Sequence, residues 1–297
     1  RSRSITSSAS DMLARMVAHR FTQVDVFSAV PLLGNALAVI HDADDLSDEQ
    51  MAAVARWTNL SETTFLCRPT TPEADYRVRI FTTGGELPFA GHPTLGSAHA
   101  WLVGGGTPDI PEVVVQECAA GLVPVSRRER LAFAAPPLRR SGPVSDEVRR
   151  HVIAINALDP AEVLDVEWID NGPGWVGVEL RSAAAVLAAR PDPTAYAGAK
   201  VALLGRYAAG EAEHLGKDVE VRAFYADGRD FGEDPVTGSA NAGLAQWLIG
   251  AGRLPDTYVA GQGGCVQRDG RIHIERRLAD IWVGGDVSTV VTGTIDL

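Results

Sequence analysis

Two stretches decide how this chain reads: GELPFAGHPTLGSAHAWLVGGG, residues 85–106, and GEDPVTGSANAGLAQWLIGAG, residues 232–252. Each follows a V-R-x-F run (Val78–Phe81 and Val221–Phe224), each ends in W-L-x-G-x-G, and the two lie about half the chain apart. That spacing is far too long for a solenoid, so it predicts two related domains with strand, loop and helix in the same order. The helices expected over Thr94–Val103 and Ser239–Ile249 are small or apolar around most of their circumference. Such helices are buried on all sides.

Around them the chain reads as short strands: Phe21–Phe27, Leu37–Ile40, Glu62–Cys67, Tyr76–Phe81, Glu112–Gln116, Val176–Leu180 and Ile272–Glu275. Wrapped around a central helix, they predict two α+β domains of barrel type rather than a parallel sheet. A surface helix starts after Ser47, where Ser47 and Gln50 form a capping box and Leu46 and Met51 a staple. Its apolar face is expected to hold Met51, Val54, Ala55 and Trp57. The Pro- and Gly-rich segment 134–142 marks a boundary, giving domains over 16–140 and 141–297, and residues 1–15 read as a loose tail or expression remnant.

Composition excludes several function classes. With 297 residues the chain needs no staples to hold a core. A formal charge of −11, with no basic cluster beyond Arg127, Arg128 and Arg130, argues against nucleic acid and against an anionic membrane surface. No apolar run is long enough to span a bilayer. Cys67, Cys118 and Cys265 are widely spaced, the usage of a reducing, cytoplasmic compartment, and are expected as buried small apolar residues. Lys200 and Lys217 are the only lysines, which leaves little room for Schiff-base chemistry. Gly216-Lys217 is followed by Asp218, so there is no phosphate loop, and no dinucleotide or serine-nucleophile motif occurs. His92 and His99 stand too far apart on a helix to share a metal. Carboxylate, imidazole and hydroxyl without a cofactor remain, the equipment of proton transfer.

That equipment gathers where the two buried helices begin, at AGHPT (Ala90–Thr94) and EDPVTGS (Glu233–Ser239). Helix N-termini offer unpaired N–H groups and positive dipole ends, so two of them facing across a cleft would grip a small anion from both sides. His92, Asp234 and Ser239 would then converge, with Gly91, Thr94 and Gly238 supplying backbone donors. Each also has an ordinary reading. His92 suits a helix entry, Asp234 before Pro235 suits an N-cap, Ser239 suits close packing, and Glu62 suits a solvated strand start.

The motifs DVF at Asp25, Gly34-Asn35, NLSETTF at Asn59–Phe65, RIFT at Arg79–Thr82, ELPFAGHPT at Glu86–Thr94 and EDPVTGSA at Glu233–Ala240 resemble the PhzF-like family of phenazine-biosynthesis isomerases. The resemblance runs over nearly all of residues 20–297. It implies the diaminopimelate-epimerase-like fold, with two similar domains, each a β-barrel around a central helix, and the active site in the interdomain cleft. It also implies a cofactor-independent isomerase, with Glu62 as general base and acid and with His92, Asp234 and Ser239 binding substrate and assisting proton movement. The family reaction moves a proton from C3 to C1 of trans-2,3-dihydro-3-hydroxyanthranilate, and the family implies a homodimer. The expected partner is a small anionic, cyclic carboxylic acid. A racemase or epimerase of amino-acid-like substrates is the alternative enzyme, although the thiols of its two-cysteine form do not fall at the helix entries. A non-catalytic small-acid binder would need the cleft but no base at Glu62.

Overall fold

The structure, a computed structural model, describes residues 17–227 and 230–297; the expected tail over residues 1–15 lies outside the described residues. The first half runs β1 (Ala18–Val26), β2 (Asn35–Ile40), α1 (Asp48–Thr58), β3 (Thr63–Cys67), β4 (Tyr76–Thr82), β5 (Gly85–Leu87), α2 (Gly91–Val103), β6 (Val113–Cys118), β7 (Gly121–Ser126) and β8 (Leu131–Ala134). The second runs β9 (Arg140–Pro143), α3 (Asp146–Ile155), β10 (Val163–Asp170), β11 (Val176–Leu180), α4 (Ala183–Ala188), β12 (Lys200–Arg206), α5 (Ala209–Leu215), β13 (Val219–Asp227), β14 (Asp230–Asp234), α6 (Gly238–Gly250), β15 (Thr257–Gln262), β16 (Gly270–Arg277) and β17 (Asp280–Gly285). The last strand is β18 (Val287–Asp296).

Strand pairing shows two copies of one topology. The first barrel pairs in the order β18-β1-β2-β3-β4-β6-β7-β8 with β5 also on β4. The second pairs as β9-β10-β11-β12-β13-β15-β16-β17 with β14 on β13. Parallel pairs fall at equivalent places, β2–β3 and β4–β6 in one, β11–β12 and β13–β15 in the other. The two barrels join where β8 pairs antiparallel with β17, Phe133 opposite Val283. Equivalent edges meeting in this way relate the halves by an approximate twofold axis.

One boundary differs from the sequence reading. β18 runs along β1, Val287 opposite Val26 and Gly293 opposite Phe21, so the chain's last strand completes the first barrel. In the second barrel β9 takes that place on β10. The repeat marks only the central helix and its flanks, and a strand carries no sequence mark of the partner it will pair with.

Each barrel closes on its helix. Leu95, Ala98 and Ala100 of α2 and Ala240, Ala242, Leu244, Ala245 and Leu248 of α6 are wholly buried, as the absence of a polar face requires. α1 instead lies outside. The Ser47 hydroxyl accepts from the Gln50 N–H while the Gln50 side chain accepts from the Ser47 N–H, and Met51, Val54 and Ala55 pack with Phe65 and Phe81. Trp57, expected on that face, is 79 % exposed. Six residues beyond Met51, it is turned about 240° around the helix, off the apolar stripe. Among the described residues no helix is long and apolar enough to cross a membrane.

A central helix inside a barrel leaves little room at its closest contacts. A Cβ on Gly243 of α6 would lie 2.4 Å from the Ile169 carbonyl oxygen of β10, whereas one on Gly250 meets nothing within 4 Å. Alanine adds up to about 1 kcal/mol of helix propensity, but overpacking against backbone costs about 1–3 kcal/mol. Gly243→Ala should therefore lower stability in urea by about 1–2 kcal/mol, while Gly250→Ala should not. Equal effects at both positions would show that packing around α6 is not limiting.

Candidate active site

The approximate axis brings the central helices together N-terminus to N-terminus. A Cβ on Gly91 would lie 3.1 Å from the Gly238 Cα, and one on Gly238 equally close to the Gly91 Cα. Glycine at both first helical positions is what permits this approach. Neither N-cap, Ala90 nor Thr237, gives its helix a side-chain hydrogen bond. Two positive dipole ends abut here, and carboxylates collect around them.

Glu62 arrives from the turn between α1 and β3, with its side chain 15 % exposed and its Oε2 at 3.3 Å from His92 Nε2. Neither atom has a hydrogen-bond partner among the described residues. Burial, and then the charge of Asp234, push the Glu62 carboxyl up to about 8. His92, the second residue of α2, is buried, and burial lowers its ring to about 3, so it is neutral at physiological pH.

Asp234 ends β14 and is not the N-cap of α6, a role held by Thr237. Its two oxygens are both occupied: Oδ1 accepts from Asn35 Nδ2 at 2.9 Å and Oδ2 from the Thr237 hydroxyl at 2.8 Å. Burial raises it to about 6, against the lowering effect of Thr237, the Val236 N–H and Asn35. Gln262, wholly buried, ties the same loop, donating to the Asp234 carbonyl and the Thr237 hydroxyl and accepting from the Thr237 N–H. Ser239, second in α6, accepts at Oγ from the Trp175 indole at 3.0 Å, and its carbonyl accepts from Asn171.

Four of the expected residues, Glu62, His92, Asp234 and Ser239, thus lie around one junction, with Gly91 and Gly238 at its centre. Thr94 does not join them. Its N–H and hydroxyl both donate to the Ala90 carbonyl, the hydroxyl accepts from Gln116, and the residue is wholly buried. A residue four past the last non-helical one makes the first intrahelical bond, so its amide is spent. Cys67 and Cys118 are buried, and burial raises both thiols. Cys265, expected to be buried, is exposed, because it lies in the short 3₁₀ turn Gly264–Val266 outside the barrel. Asn35, Thr237, Gln262, Asn171 and Trp175 were not singled out as site residues. Asn35 and Thr237 stand inside family-like motifs, Gly34-Asn35 and EDPVTGSA, whereas Gln262, Asn171 and Trp175 carry no such signal.

Residues 24–293 match the family model described as phenazine biosynthesis-like protein. The chain is similar to antisense-enhancing sequence 1 of Schizosaccharomyces pombe, 33% identical over 94% of this chain and 99% of that one. It is also similar to the trans-2,3-dihydro-3-hydroxyanthranilate isomerase of Pseudomonas aeruginosa, 39% identical over 59% of this chain and 62% of that protein. Among solved structures, a phenazine biosynthesis protein of the PhzF family from Enterococcus faecalis superposes with a TM-score of 0.76 at 23% identity, covering 95% of this chain and all of the other.

The raised Glu62 carboxyl has a consequence for stability. Its folded value, about 8, exceeds the ordinary 4.5, so the folded protein binds the proton more tightly than the unfolded chain. The stability this contributes is full below about pH 4.5 and is lost as pH rises through about 8. His92 works in the opposite sense, below its ordinary 6.5. Glu62→Gln cannot ionise, so its melting temperature relative to wild type should climb between pH 4.5 and about 8 and then level. Parallel melting curves across that range would mean that Glu62 is not held in its neutral form.

Proposed function

The chain belongs to the phenazine biosynthesis-like protein family, and from that premise we propose that it is a cofactor-independent isomerase that shifts a proton within a small, cyclic carboxylic acid. The observation that carries this reading is the contrast between the two acids. Asp234 has both oxygens taken by donors, whereas Glu62 Oε2 has no hydrogen-bond partner among the described residues and faces His92. One acid is locked and one is available.

A buried carboxyl with a raised pKa can accept a proton from carbon when ionised and return it when neutral. As Glu62 removes the proton, the electron pair of the C–H bond delocalises toward the substrate carboxylate. The abutting helix ends at Gly91 and Gly238, with their dipoles, stabilise that growing negative charge. Glu62 then delivers the proton to a second carbon on the same face. His92, neutral, supplies a hydrogen bond without competing as a base.

Racemisation by inversion needs a second base on the opposite face, and Asp234 is held by Asn35 and Thr237 in the role of an anchor. A binding protein without catalysis would gain nothing from burying a glutamate whose Oε2 has no hydrogen-bond partner among the described residues, since its desolvation costs stability. The substrate class follows the named activity of the Pseudomonas aeruginosa relative.

The test uses trans-2,3-dihydro-3-hydroxyanthranilate in deuterated solvent. Wild-type protein should convert it and exchange a C–H for deuterium. Glu62→Gln should bind it comparably yet lose at least about 10² to 10⁴ in turnover, with exchange abolished. For wild type, kcat/KM should rise with pH toward the Glu62 value near 8, since the free enzyme must carry the ionised base. Turnover by Glu62→Gln within about tenfold of wild type, roughly 1.4 kcal/mol of barrier, would move the base elsewhere.

A further inference from the structure

The two catalytic helices are each met, at their second residue, by a hydrogen-bond donor from the start of the equivalent strand. In the first barrel the second residue of α2 is His92, and Asn35 opens β2. In the second barrel the second residue of α6 is Ser239, and Trp175 immediately precedes β11. Asn35 Nδ2 lies 3.4 Å from His92 Nδ1, and Trp175 Nε1 lies 3.0 Å from Ser239 Oγ. The residue types differ completely, yet the contacts occupy matching places in the duplicated topology.

The direction of each contact follows from chemistry. Asn35 Nδ2 also faces Asp234 Oδ1 at 2.9 Å and the Val236 carbonyl at 3.0 Å. Reversing the amide would set its oxygen against a carboxylate and a carbonyl, so the nitrogen must point this way. An NH₂ group has two hydrogens to share among these three neighbours and no lone pair with which to accept, so an Nδ1–H would point a hydrogen at a group that can only donate, and a bare Nδ1 is the ring state that fits against it. The proton of the neutral ring therefore sits on Nε2, the atom 3.3 Å from Glu62 Oε2. Trp175 presents an indole N–H, which only donates, so Ser239 Oγ accepts and its own proton is turned to another acceptor.

We infer that Asn35 and Trp175 are a matched pair of positioning residues, one per barrel, that fix His92 and Ser239 as hydrogen-bond donors toward the substrate. This rests on the isomerase reading for its purpose, but the polarity it assigns is a property of the protein alone. With both side chains preset as donors, Glu62 is left as the group at the junction that can take up a proton. Asn35 has a second effect, because it reaches from the first barrel to Asp234 and Val236 of the second and ties the two halves at the site.

The polarity can be read without substrate. In protein labelled with ¹⁵N-histidine, the His92 resonances are identified by their loss in His92→Gln. The wild-type ring should show a protonated Nε2 and a bare Nδ1 across neutral pH, and Asn35→Ala should convert this to a mixture of tautomers. Likewise the indole proton of Trp175, assigned through Trp175→Phe, should shift in Ser239→Ala. A wild-type Nδ1–H tautomer, a protonated ring at neutral pH, or an indole proton indifferent to Ser239→Ala would each overturn the assignment. The wild-type spectra decide this even if Asn35→Ala does not fold.

Turnover supplies a separate readout. Trp175→Phe and Asn35→Ala should each lower kcat by about ten- to a hundredfold, the scale on which losing a partner that orients a functional side chain is felt, with KM nearly unchanged. Trp175→Phe should have no further effect in a Ser239→Ala background, whereas Asn35→Ala in His92→Gln should cost less than it does in wild type, keeping only the part that comes from releasing Asp234 and Val236. Fully additive losses in both double variants would reduce the contacts to His92 and Ser239 to packing. Correct tautomers in a protein that does not convert trans-2,3-dihydro-3-hydroxyanthranilate would count against the proposed substrate and leave the polarity assignment standing.

Discussion

The close approach of Gly91 and Gly238 is the constraint on which the rest of the site depends. Two helices that begin face to face bring like dipole ends together, an arrangement that is unfavourable unless negative charge gathers there. The fold supplies that charge with Asp234, and the same barrels that bury the helices remove the water that would keep Asp234 and Glu62 ordinary acids. Burial of the helices and the altered acid–base character of the site are thus one effect. Any side chain at either glycine would have to push the helices apart, starting with backbone atoms about 3 Å away.

Duplication explains how such a junction arises and also how it became asymmetric. The strand order, the parallel pairs and the central helices match between halves, and the joined β8 and β17 set the axis between them. On that symmetric frame the chemistry differs. His92 and Ser239 hold equivalent positions but one is an imidazole and the other a hydroxyl. The two acids are also treated differently, since one is clamped by Asn35 and Thr237 while the other keeps an oxygen without a hydrogen-bond partner among the described residues. A symmetric pair of bases would suit inversion at one carbon, whereas one base beside fixed donors suits movement of a proton between two carbons of one face.

The hydrogen-bond network around residues 234–237 shows how a loop can be made as firm as a strand. Gln262 and Asn35 between them satisfy the carbonyls of Asp234 and Val236, the Thr237 N–H and hydroxyl, and one carboxylate oxygen. Buried polar groups that are fully paired hold one geometry, because any rearrangement would leave a donor or acceptor without a partner in a dry interior. Prior alignment of this kind is what lets fixed dipoles act on a developing charge without first having to turn.

Much of this was legible along the chain. The paired motifs announced two related domains, the apolar circumference of the two helices announced their burial, and Ser47 with Gln50 announced the capping box, since each depends on neighbours within a few residues. The candidates Glu62, His92, Asp234 and Ser239 could likewise be picked by type and motif. Trp57, Thr94, Cys265 and the destination of β18 could not be placed correctly, because exposure, an amide already bonded within its helix and strand partnership depend on the packed chain. The sequence by itself determined the elements, the duplication and the acids at hand. Tertiary structure decided which acid is free and which way each hydrogen bond runs, because residues 35, 92 and 234 acquire their partners only when two barrels distant in sequence close on one axis.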